Sequence, residues 1–61
     1  MTPAPPTTSE MVAWLEAEAD DCDKVAHDSR HFGDMGDAEL MEADARMLRA
    51  IAARLREEVG R

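Results

Sequence analysis

Asp23, His27 and His31 recur every four residues. On a long helix that spacing stacks a carboxylate and two imidazoles on one face, an arrangement able to hold Zn²⁺ through two ring nitrogens and an oxygen. Acidic helices also bring Asp near His with no ligand role, and His31 falls where such a helix frays, so neither a metal site nor a cofactor is expected. Cys22 is the only cysteine, which excludes an intramolecular disulfide. With no activating His or Lys beside it, it reads as a small buried hydrophobe with an inert thiol, suited to a reducing, cytoplasmic compartment. Catalytic triads, phosphate-cradling Gly loops and dinucleotide fingerprints are absent. The Asp/Gly stretch after Phe32 lacks the ligand order of an EF-hand. A chain of 61 residues is short of the mass needed to enclose a cleft with supporting shells. No catalytic residue is expected, and the chain is not expected to be an enzyme.

Other side chains point to binding. Fourteen acids against seven bases give a net charge of −7. That balance argues against direct nucleic-acid contact, because phosphates need Lys and Arg. No apolar stretch approaches the roughly 20 residues of a membrane span. The run Glu16, Glu18, Asp20, Asp21, Asp23 contains no base. Its carboxylates on adjacent turns can imitate the spacing of phosphates and dock on a basic surface, or serve only to keep the chain soluble. Trp14 is the one Trp, and Trp and Arg are common interface anchors.

These residues need helices to position them. Hydrophobic residues make up 44% of the chain but aromatics only 3%, so Ala, Met and Leu dominate, and they favour helix over strand. Residues 1–7 form a Pro-rich, disordered lead-in, with Pro3, Pro5 and Pro6 favouring extended backbone. Thr7 to Glu10 offers a capping box. Residues 8–61 form a single domain, with one helix over about 8–30 and a second over about 37–59. Gly33 and Gly36 permit a turn between them, while Asp34 or Asp37 can cap the second helix.

Val12, Leu15, Ala19, Cys22, Ala26 and Ser29 follow steps of three and four, as do Met41, Ala45, Leu48, Ala52, Leu55 and Val59. Each set is a seam on one helical face. The numbers of Val12 and Leu55, Leu15 and Ala52, Ala19 and Leu48, Cys22 and Ala45, and Ala26 and Met41 share one sum, 67. One fold-back point between Gly33 and Asp34 therefore levels every pair. An all-α, antiparallel two-helix hairpin is expected, pairing into a four-helix-bundle-like homodimer or higher homo-oligomer.

Fold-back also lays Arg49, Arg54 and Arg56 beside Glu10, Glu16 and Glu18, leaving the turn-side half acidic. The expected partner-binding residues are Glu16, Glu18, Asp20, Asp21, Asp23, Asp28, Asp34, Asp37 and Glu42. A two-helix hairpin cannot hide all its apolar surface, and Met11, Trp14, Leu40, Met47, Ile51 and Arg54 form the expected oligomer interface.

The phrases Trp14-Leu15-Glu16-Ala17-Glu18-Ala19 and Leu40-Met41-Glu42-Ala43-Asp44-Ala45, followed by Met47-Leu48-Arg49-Ala50, resemble the small helical-hairpin proteins of phage and prophage genomes. The chain is similar in size and charge to anti-CRISPR inhibitors. The resemblance implies a mobile-element inhibitor that binds a host protein through a basic, nucleic-acid-binding surface. It carries over no individual functional residue. The competing reading is a structural or assembly protein working through its apolar stripe.

Overall fold

The computed structural model describes residues 3–60; the first two residues of the expected lead-in lie outside them. Residues 3–7 adopt no regular structure. Helix α1 then runs Thr8–His31 and helix α2 Met35–Val59, and no strand occurs among the described residues. No helix among the described residues is long and apolar enough to cross a membrane.

The start of α1 is the expected capping box. Thr7 accepts from the Glu10 backbone N–H at 3.1 Å, and the Glu10 carboxylate accepts from the Thr7 N–H at 3.3 Å. At its other end the chain reverses through Phe32, Gly33 and Asp34. The Asp34 N–H donates to the Ser29 carbonyl at 2.7 Å and the Gly33 N–H to that of Arg30 at 3.1 Å. This is a Schellman arrangement, with Gly33 at φ +85°, where a Cβ would be strained. The Asp34 carboxylate in turn accepts from the Asp37 N–H at 3.1 Å, so the residue that closes α1 also caps α2. That cap starts α2 at Met35, two residues earlier than expected, and puts Gly36 inside the helix rather than in the turn.

Six residues are buried, and they fall in two rows of seven-residue spacing: Val12, Ala19 and Ala26 on α1, and Ala38, Ala45 and Ala52 on α2. The five alanines are each 2% exposed or less. A row of Cβ methyls lets two backbones approach closely, so the helices meet along small residues. Leu15, Cys22, Ser29, Met41, Leu48 and Leu55 flank these rows half-buried. This is the expected seam, lengthened by Ala38, whose number with that of Ser29 gives the same sum as the other pairs. Val59, expected in the seam, is exposed at the open end.

Candidate partner-binding flank

The shared seam leaves the hairpin two flanks. On one, Glu16, Asp23 and Arg30, seven residues apart, meet Arg56, Arg49 and Glu42, also seven apart. Arg56 donates to Glu16 at 2.5 Å, Arg49 to Asp23 at 2.5 Å and to Asp20 at 3.0 Å, and Arg30 to Glu42. Hydrogen bonding to these carboxylates holds the Arg49 guanidinium above its ordinary pKa.

Only Arg56 keeps an expected partner. Arg49 takes Asp23 and Asp20 in place of Glu10, Glu16 or Glu18. Glu10 is committed to its cap, and no ion pair among the described residues involves Arg54 or Glu18. Side-chain direction explains the shift. Each side chain tilts toward its own helix N-terminus, and in an antiparallel pair the two tilts oppose. Long side chains therefore meet where residue numbers sum to 72, not at the 67 that suits the short seam residues.

The other flank is built from Met11, Trp14, Glu18, Asp21, Val25 and Asp28 on α1 and Asp37, Leu40, Asp44, Met47, Ile51, Arg54 and Glu58 on α2. Both series step by three and four. Trp14 is 62% exposed, Leu40 64%, Met47 63% and Ile51 42%. At the open end Pro6, Glu10, Met11, Trp14, Leu15, Ile51 and Leu55 line a groove of about 520 Å³. All six residues expected at an apolar interface thus share one flank, and Val25 joins them.

The nine expected partner-binding acids do not form one surface. Glu16, Asp20, Asp23 and Glu42 are held by arginines on the first flank. Asp34 caps α2, and Asp37 accepts from the Ser29 hydroxyl at 2.8 Å. Glu18, Asp21 and Asp28 lie on the apolar flank, together with Asp44. Leu15 and Leu55, counted as seam alone, also wall the groove; their half-burial is the signal that sequence periodicity lacks.

Cys22 sits half-buried between the flanks. Desolvation, then the charges of Asp44, Glu18, Asp21 and Asp23, push its thiol pKa up. Asp23, which would be a metal ligand in the His27/His31 stack, is engaged by Arg49, and the His31 ring packs edge-on against Phe32 at 5.3 Å. Among the described residues no group of three or more His, Cys, Asp or Glu is placed to hold a metal ion.

No family model, curated protein or solved structure matches this chain. Its functional reading rests on the two flanks.

Proposed function

We propose that this chain is a non-catalytic binding module of the cytoplasm whose working surface is the apolar flank. One observation carries the reading. Six of the nine exposed large apolar side chains among the described residues, Met11, Trp14, Val25, Leu40, Met47 and Ile51, share a single flank, while the opposite flank is occupied by ion pairs; Phe32 and Met35 stand at the turn and Val59 at the open end. The apolar groove lined by Met11, Trp14, Leu15, Ile51 and Leu55 lies on this flank, and exposed apolar surface gathered on one side of a small protein marks an interface. The openings in the hairpin are surface grooves, suited to a side-chain row from a partner rather than to an enclosed substrate.

The charge of the same flank favours a second, narrower reading: a mobile-element inhibitor of the anti-CRISPR kind that covers a basic surface of a host protein. Glu18, Asp21, Asp28 and Asp44 stand there without a basic partner among the described residues. Unneutralised like charge costs the free hairpin self-repulsion that a cationic partner would relieve.

Adjacent residues on opposite flanks provide the test. A photocrosslinking residue is placed at Met47, on the apolar flank, or at Arg46, on the ion-paired one, in cells that make the protein. A discrete adduct from position 47 and none from position 46 is the expected result. Equal labelling from both positions, or labelling from 46 alone, would refute the assignment of the working flank.

A further inference from the structure

Resting on the reading of the apolar flank as the working surface, we propose that its occupant is a basic amphipathic helix of a partner protein. The inference comes from how charge divides between the flanks. The ion-paired flank holds five acids, Glu16, Asp20, Asp23, Glu39 and Glu42, and four bases, Arg30, Arg46, Arg49 and Arg56, and is close to neutral. The apolar flank has thirteen positions: six apolar residues, six carboxylates and Arg54. Most of the protein's net negative charge, −5 of −7, therefore stands among its exposed apolar side chains, not on a separate face.

That combination selects the partner. A second copy placed flank to flank would bring twelve carboxylates and two guanidiniums into one strip, and like charges across an interface oppose association. Nucleic acid and anionic lipid are repelled by the same charge. A helix with an apolar stripe bordered by Lys and Arg satisfies both halves of the surface. Its stripe lies between Met11, Trp14 and Val25 on one side and Leu40, Met47 and Ile51 on the other, with its cations over Glu18, Asp21, Asp28 and Asp44. The geometry is that of a helix laid in a groove, anchored by residues at i, i+3, i+4 and i+7. From Met11 to Asp28 the flank spans seventeen helical rises, roughly 26 Å, the length of a five-turn helix.

The probe is a synthetic 18-residue Leu/Lys amphipathic helix added to the full chain, with Trp14, the only Trp, as the fluorophore. The expected result is a saturable one-to-one blue shift in Trp14 emission, weakened at least tenfold between 50 and 500 mM NaCl. Met47→Asp should cost tenfold or more; this side chain is 63% exposed, so the fold survives, as far-UV circular dichroism would verify. The pair Asp21→Asn and Asp44→Asn should weaken binding as strongly, while Glu39→Gln on the other flank leaves it unchanged. A matched Leu/Glu helix should not bind. Binding of the Leu/Glu helix that Met47→Asp abolishes would overturn the basic-partner proposal and leave the flank assignment standing. So would self-association at micromolar concentration, seen in sedimentation equilibrium and abolished by Met47→Asp. Leu/Lys binding indifferent to Met47→Asp, or no binding of any helix by a chain that stays monomeric, would overturn both.

Discussion

Arg49 reaches Asp23 at 2.5 Å although the register of the seam sets Glu18, not Asp23, level with it. The two residues lie on the same flank, their side chains lean toward each other along the helix axes, and Glu18 projects on the far side. Arg49 also holds Asp20, so a single guanidinium ties down two successive turns of α1.

Removing that tie should be visible in salt. Arg49→Ala is expected to lower the thermal midpoint at low ionic strength, leaving Asp20 and Asp23 facing each other without a cation. In 1 M NaCl the difference from the parent should shrink. A midpoint difference that is the same at both salt concentrations would show that the pairing contributes nothing through charge.

The alanine rows set a strict size limit. Ala45 is 1% exposed, and Ala45→Leu should destabilise the hairpin by about 1–3 kcal/mol through overpacking. Ala43→Leu, two residues away and exposed, should change stability by less than about 0.5 kcal/mol. Urea unfolding of the two variants makes the comparison; equal effects would mean the helices do not meet on the alanines.

The two glycines near the turn should respond with opposite signs. Gly33→Ala places a Cβ in the left-handed region and should cost about 1–2 kcal/mol, although no atom lies within 4 Å of the new carbon. Gly36 lies in α2 at negative φ with equally open surroundings, and Gly36→Ala should add about 0.5 kcal/mol by restricting the unfolded chain. Chemical denaturation checks both signs.

Cys22 provides a pH prediction. Its raised pKa means the folded chain keeps the thiol proton at pH values where the unfolded chain has lost it. The stabilisation is present below the ordinary thiol range and is lost as pH rises through the folded value, so stability should decline on the alkaline side. Cys22→Ala should remove that decline, and iodoacetamide should alkylate folded Cys22 more slowly than a free thiol at pH 8.5. Fast alkylation of the folded protein would contradict the carboxylate environment.

The hairpin was legible in the sequence because short seam residues obey a simple rule: their numbers pair to a constant sum about the turn. The Thr7 capping box and the all-α class were legible for similarly local reasons. Two things were not. Charge counted along the chain suggested a neutralised open end and acids without intramolecular partners toward the turn, whereas the ion pairs run along one flank and reach those acids. Arg30 and Arg49 neutralise Glu42, Asp23 and Asp20 because long side chains tilt, and a helical seam does not record that tilt. Asp34 and Asp37, counted among the surface acids, are used at the turn itself, where backbone N–H groups and a Ser29 hydroxyl compete for carboxylates.

Cross-helix bonds in this hairpin range in sequence separation from 8 residues, for Ser29 and Asp37, to 40, for Glu16 and Arg56. The loop that must close before each bond forms therefore grows steadily away from Gly33, and its entropic penalty grows with it. Folding is expected to run as a zipper that starts at the turn and ends at the lips of the Trp14–Ile51 groove. In the reverse direction those lips are the first to part, so the end of the molecule best shaped to receive a guest is also the end that opens most often.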